Sequence, residues 1–259
     1  DEKWERWRGC GLCEQRYHGV VHCALGWACW KTYVGRPEGH WAQNVAMTVL
    51  ALGVGAGQRH QEQIEILESQ LAGQLRRGDR ERDVLITRTN IALALNNQGR
   101  CEEALALRRE IYDRSVELGF PRDEPFFTDV LNLGFSLIDT GGHTEAKSFL
   151  REQLPKARRA LGEEHEVVLR FRSTYAHLIS VFTGVTRDDL DEAVTILAEL
   201  DLMTRRIYGH THPFSAMIQC HLKHFGKRLV AFDTVSLRFA VGARVYCSYV
   251  GGRWAAGRV

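Results

Sequence analysis

The chain repeats itself with a period of about 42 residues, and that constrains its fold more than any other feature. Gly99-Arg-Cys-Glu-Glu-Ala104 returns as Gly141-Gly-His-Thr-Glu-Ala146, with glycine and alanine both displaced by 42 positions. Asn90 and Asn132 follow the same step, and Thr174 continues it. Leu118-Gly119, Leu161-Gly162 and Tyr208-Gly209 mark the segment ends, the last pair spaced more widely by an insertion. A period in this range belongs to stacked supersecondary units, none of which buries its apolar face alone. Such stacks present long surfaces, which points towards binding rather than catalysis.

Within the period the pattern is helical. Val84, Ile86, Ile91, Ala92, Leu93 and Leu95 are expected to form one apolar stripe of a first helix. Gln98-Gly99-Arg100 supplies a left-handed stop, for which glycine is best suited. Glu102 and Glu103 open the partner helix, where acidic side chains favour the positive end of the dipole. Ala104 and Ala146 are small because paired helices must approach closely there. By register, hairpins are expected at 38–78, from Val84 to Gly119, at 124–161 and at 163–208. His212-Pro213 then starts one more helix, proline being harmless at a first helical position. Pro155 is expected to kink the second helix of the third hairpin. The turn of the fourth hairpin runs from Phe182 to Leu190. Gly57-Gln-Arg-His-Gln-Glu makes the turn of the first hairpin degenerate, since it lacks the small alanine.

The chain divides into residues 1–35, rich in Trp and Cys, a repeat region at 36–228, and a tail at 229–259. Val235, Leu237 and Phe239, then Val241 and Arg244-Val-Tyr-Cys247, alternate as a strand. Trp254 and Val259 beyond Gly251-Gly252 complete a strand–turn–strand signature. The fold expected is therefore all-α: a solenoid of about four helical hairpins plus a terminal helix, with a short C-terminal β-hairpin.

Composition narrows the function classes. The formal charge is +2 over 259 residues with 44% hydrophobic content, which gives no polybasic footprint for nucleic acid. His40 to Gln58 carries no formal charge, yet its Gln43, Asn44, Thr48 and three glycines suit a buried repeat helix better than a membrane span. Seven scattered cysteines fit free thiols in a reducing cytoplasm or nucleus better than a secreted disulfide framework. The chain shows no secretory leader; it opens at Asp1 and stops within a strand pattern, so it reads as a fragment. No phosphate-binding loop, dinucleotide fingerprint, zinc-protease helix or nucleophile elbow is present, and no enzymatic activity is expected. Asp188-Asp189 and Asp191-Glu192 lie where a turn enters a helix. His210, His212, His221 and His224 are close in sequence, and Arg158-Arg159 and Arg205-Arg206 recur near ends of second helices, where they complement the dipole.

Thr89-Asn-Ile-Ala92, Leu131-Asn-Leu-Gly134, the Gly-x-x-x-Glu-Ala turns and the runs Leu161-Gly-Glu-Glu-His165 and Tyr208-Gly-His-Thr-His-Pro213 resemble the tetratricopeptide repeats of kinesin light chain. HEAT-type repeats share the length but lack the Gly-to-Ala turn. The resemblance covers roughly 38–225 and implies a protein-interaction scaffold. It further implies that the first helix of each pair lines a concave face that holds an extended partner peptide. By register that face carries Asn90, Asn97, Asn132, Asp139, Arg170, Thr174 and His177. An asparagine offers both donor and acceptor to a peptide backbone.

Cys10-Gly-Leu-Cys13, after Trp4 and Trp7, resembles the closing edge of a RING-variant zinc finger, an arrangement associated with algal proteins. The resemblance implies that Cys10 and Cys13 would grip one side of a tetrahedral zinc ion, for which four ligands are needed. The site is incomplete within this chain unless His18, His22, Cys23 or Cys29 joins it; otherwise no cofactor is expected. Cys23 and Cys29 read as small apolar residues on a helix from Tyr17 to Tyr33. The finger implies an alternative role as the substrate-selecting part of an E3 ubiquitin ligase. The tail resembles two strands of an SH3-like or Tudor-like barrel, with Tyr246 and Trp254 as packing residues. The partner expected is a protein or peptide, with no nucleic acid and no membrane.

Overall fold

The structure, a computed structural model, describes residues 2–13, 15–37, 39–181, 185–237, 244–248 and 254–258. These residues group into two compact units, Asp1–Gly142 and His143–Val259.

The first unit begins with α1 (Glu2–Glu5) and α2 (Gly19–Tyr33), then α3 (Trp41–Ala56) and α4 (His60–Arg77), α5 (Glu81–Asn97) and α6 (Cys101–Glu117), and α7 (Glu124–Asp139). α2 lies along α3 at backbone range. A Cβ on Gly53 would stand 2.6 Å from the His22 carbonyl oxygen, and one on Gly26 would stand 3.2 Å from Leu50 Cα. The uncharged, glycine-rich stretch is therefore a helix shaped to be covered by another. No helix among the described residues is long and apolar enough to cross a membrane. Cys29, Ala46 and Val49 form the core there, with Trp4, Trp7, Trp30 and Tyr33 packed around them.

Further along, Ile64 and Leu67 of α4, Ile91, Ala94 and Leu95 of α5 and Ala104 of α6 make one continuous cluster with Ala51 of α3. Ala104 has no exposed surface, as a residue at the closest approach of two helices must. Gly99 adopts φ +84°, so α5 stops on a left-handed residue before α6. In the degenerate first turn the left-handed residue is Gln58, φ +63°, rather than Gly57. Arg108 of α6 is buried and ties α6 to α7, its Nη1 donating to the Asn132 carbonyl at 2.6 Å and to Ser136 Oγ at 2.8 Å.

One expectation is corrected. Val84, Ile91, Ala92 and Leu95 are buried, but Ile86 and Leu93 are 53% and 43% exposed. Seven residues apart, they share a different face of α5 from the core stripe.

The second unit holds α8 (His143–Leu161), α9 (Glu166–Val181), α10 (Arg187–Tyr208) and α11 (Pro213–Leu237), followed by β1 (Arg244–Ser248) and β2 (Trp254–Arg258). α8 continues through Pro155 as one helix. α10 opens on a capping box: Thr186 Oγ1 accepts from the Asp189 amide at 3.1 Å, and the Asp189 carboxylate accepts from the Thr186 amide at 3.1 Å. Lys147 Nζ lies 2.6 Å from the same carboxylate and, first among the causes, holds the Asp189 carboxyl down at about 2. The acidic run at 188–192 is thus a helix start and an ion-pair partner. Phe171, Leu178 and Ile179 of α9, Leu190, Leu197 and Leu200 of α10, and Ile218 and Phe225 of α11 are buried. α11 runs to Leu237, so Val235 and Leu237 are helical and the expected strand does not begin there. β1 and β2 pair antiparallel, Arg244 opposite Arg258 and Ser248 opposite Trp254. The expectations at Phe182, Phe239, Val241, Gly251, Gly252 and Val259, and for the side chains of Tyr246 and Trp254, lie outside the described residues.

Candidate functional site

The exposed stripe of α5 organises the candidate surface of the first unit. Asp83, Ile86, Asn90, Leu93 and Asn97 recur at helical spacing, all exposed or half-buried and none in the core cluster. Among the described residues, neither the Asn90 nor the Asn132 side-chain amide has a hydrogen-bond partner within the protein. The Asn132 carbonyl, by contrast, is engaged by Arg108. Asn97 is exposed at the last turn of α5, and Asp139 accepts from Asn96 Nδ2 at 3.3 Å. Four of the residues expected on a binding face are therefore carried by two successive first helices, α5 and α7.

A cleft opens on each side of this stripe. The larger, about 310 Å³, lies between α3 and α5 and is lined by Trp41, Asn44, Thr48, Gln74, Asp83 and Ile86, among others. Trp41 is 58% exposed at its edge. Gln70 in its wall is fully engaged, its Nε2 donating to the Asn44 carbonyl at 3.2 Å and to Thr48 Oγ1 at 3.1 Å. Gln74 Oε1 is buried and has no donor. The smaller cleft, about 90 Å³, lies between α5 and α7 and is lined by Arg82, Leu85, Ile86, Phe120, Phe126 and Asp129, among others. Ile86 borders both.

Asp129 is the chemically distinctive group of the smaller cleft. Its Oδ1 accepts from Thr89 Oγ1 at 3.1 Å, and no basic group forms an ion pair with it among the described residues. Burial pushes its carboxyl up to about 6, against the opposing pull of the Thr89 hydroxyl and the Arg108 guanidinium. Arg82, at the rim, is paired with Asp123 at 2.7 Å. The guanidinium of Arg122 sits over the Phe126 ring at 4.1 Å.

In the second unit the expected residues are not equally open. Arg170 is exposed on α9, but Thr174 is only 8% exposed. His177 lies against α11, its ring 5.1 Å from His221 and 6.0 Å from Phe225. Burial, then the neighbouring histidines, lowers the pKa of His177, and burial also lowers that of His221. The terminal helix thus packs against α9 at His177, one of the positions that the repeat register assigns to a partner, while Arg170 stays open. His212 stacks on Tyr208 at 4.8 Å and accepts from the Phe214 amide at 3.2 Å, a helix-starting role. His224 packs edge-on against Phe225.

Cys10 and Cys13 sit in a tight loop closed by a bridge between Gly9 and Arg16, with the Cys10 amide donating to the Gln15 carbonyl at 2.9 Å. The amides of Leu12 and Cys13 point at the Cys10 sulfur and lower its pKa. Among the described residues no group of three or more His, Cys, Asp or Glu side chains is placed to hold a metal ion. Cys29 is buried, which pushes its thiol up to about 11, as expected of a packing residue.

The residues that sequence reasoning missed are Trp41, Asp83, Ile86, Leu93 and Asp129. One signal was present: Asp129 puts a charge, next to Thr128, between the apolar pairs Phe126-Phe127 and Val130-Leu131.

Residues 84–118 and 131–166 match the family model described as tetratricopeptide repeat. No curated protein matches the sequence. Among solved structures, the chain is similar to nearly identical TPR-like repeats assigned to a kinesin light chain of Podosopora anserina. That similarity has 19% identity and a TM-score of 0.56 over 72% of this chain and 85% of that one. It is also similar to BtubC (BKLC) of P. vanneervenii, with 14% identity and a TM-score of 0.54 over 88% of this chain and 93% of that one. Tetratricopeptide repeat proteins act as scaffolds that bind other proteins. The chain carries tetratricopeptide repeats within an all-helical stack, and its fold is similar to those of kinesin light chain-like repeat proteins.

Proposed function

We propose that the chain is a non-enzymatic interaction scaffold, and that the face formed by α3, α5 and α7 binds an extended segment of a partner protein. The observation that carries this reading is the exposed stripe Asp83, Ile86, Asn90, Leu93 and Asn97, bordered by two clefts. Large exposed apolar side chains rimmed by polar groups mark interaction sites on soluble proteins. Asn90 and Asn132, with unengaged amides one repeat apart, offer matching donor–acceptor pairs to a peptide backbone.

The test uses the whole chain as bait. A partner retained by the wild type is expected to be lost from the double variant Asn90→Ala, Asn132→Ala. Helical circular dichroism and the thermal midpoint should stay unchanged. Each lost amide pair weakens binding by about 1–3 kcal/mol. A partner held at full strength by the double variant would place the interaction on another surface.

A further inference from the structure

The smaller cleft says something about the chemistry of the partner, and this step rests on the reading just proposed. Its walls are aliphatic and aromatic, from Leu85 and Ile86 on α5 and Phe120 and Phe126 on the far side. Its lining contains one carboxylate outside any ion pair, Asp129, since Asp123 at the rim is taken by Arg82 at 2.7 Å. A carboxylate held against apolar walls is left short of solvation, and a cation delivered to it supplies what the fold does not. Aromatic walls assist such a cation, and the Phe126 ring already carries the Arg122 guanidinium at 4.1 Å. Among the described residues, Arg82 is neutralised by Asp123 and Arg122 lies on the Phe126 ring, while Arg108 keeps its charge and attracts Asp129 but gives its hydrogen bonds to the Asn132 carbonyl and Ser136, so that none of these cations bonds the carboxylate.

We propose that this cleft receives a lysine or arginine side chain of the bound segment, its methylenes along Leu85 and Ile86 and its charge on Asp129. Because Ile86 also borders the larger cleft, an apolar residue next to that cation reaches the space beside Trp41. The segment recognised is accordingly basic and apolar in close succession, and an acidic segment is disfavoured.

The test measures fluorescence anisotropy of three labelled 12-residue peptides on the full chain. They are rich in leucine and serine and differ only in a central lysine, glutamine or glutamate. The lysine peptide is expected to bind about tenfold more tightly than the glutamine peptide, and the glutamate peptide most weakly. Asp129→Asn should bring the lysine peptide down to the glutamine value and leave the glutamine peptide unmoved. Asp113→Asn, on exposed α6 surface outside the cleft, should change neither. Glutamine-peptide binding that is lost in Ile86→Ser, without any preference for lysine, would overturn the inference while leaving the binding face standing. Binding of no peptide at all would overturn both. A lysine preference that survives Asp129→Asn would overturn the assignment of the charge to this carboxylate.

Discussion

Asp129 carries a cost that the rest of α7 does not. Its carboxyl titrates at about 6 in the folded chain against 3.8 in an ordinary environment, so the native state holds its proton over a range where the unfolded chain has released it. Stability therefore falls as pH rises from about 4 to about 6 and stays reduced above that. Asp129→Asn keeps an acceptor for Thr89 and removes the charge. It is expected to be more stable than the wild type by about 2 kcal/mol at pH 7.5, a gap that closes towards pH 4. Urea denaturation at the two pH values checks this, and a gap that widened on acidification would contradict the assignment. Single residues are also where the sequence was least legible. Ile86 and Leu93 read as core because a mixed apolar helix does not announce which of its faces a neighbour covers. Asp129 was visible as a polar intrusion among phenylalanines, but only the placement of Thr89 and the cleft gives it meaning. Thr174 kept the repeat register but is buried, and His177 meets the rings of a terminal helix that register alone does not position.

At the scale of the helix, the turn signals were legible because each carries a local physical cause. Gly99 stops α5 at φ +84°, the acidic pair that follows opens α6, and Ala104 permits the close crossing. The first hairpin formed in spite of its degenerate turn, with Gln58 left-handed at φ +63°, because Ala51, Ile64 and Leu67 join the same cluster as α5 and α6. Tertiary burial outweighs the roughly 1–2 kcal/mol that a non-glycine residue loses in that conformation. The crossing at Ala104 has no such slack. Ala104→Glu places a charge and extra volume against Ile91 and Leu95, and a loss of about 3 kcal/mol or more is expected. Thermal unfolding of the variant checks it; an unchanged midpoint would mean that α5 and α6 do not meet there.

Over the whole molecule, helical repeats gain stability from neighbours and pass little of it further along the chain. Phe225 of α11 is 1% exposed and packs on the imidazoles of His177, His221 and His224. Phe225→Ala is expected to cost about 3–5 kcal/mol locally. In hydrogen exchange, amide protection should fall in α9, α10 and α11 and stay at wild-type levels in α4, α5 and α6. Equal loss along the entire chain would show a cooperativity that a repeat stack does not require.

The polar ties between successive repeats have a consequence for how such a chain changes length. Arg82 holds Asp123, 41 positions on, and Thr89 holds Asp129, 40 on. Asn96 meets Asp139 across 43 positions, and Lys147 meets Asp189 across 42, as does Glu164 with Arg206. Each tie joins near-equivalent places in adjacent copies, so the ruler is written into the side chains as well as the backbone. A tandem duplication of one full period hands every donor a fresh acceptor at the same step. An insertion of a few residues inside a helix leaves those same donors facing the wrong rung. Growth and shrinkage of this protein by whole copies is the kind of genetic change its chemistry tolerates.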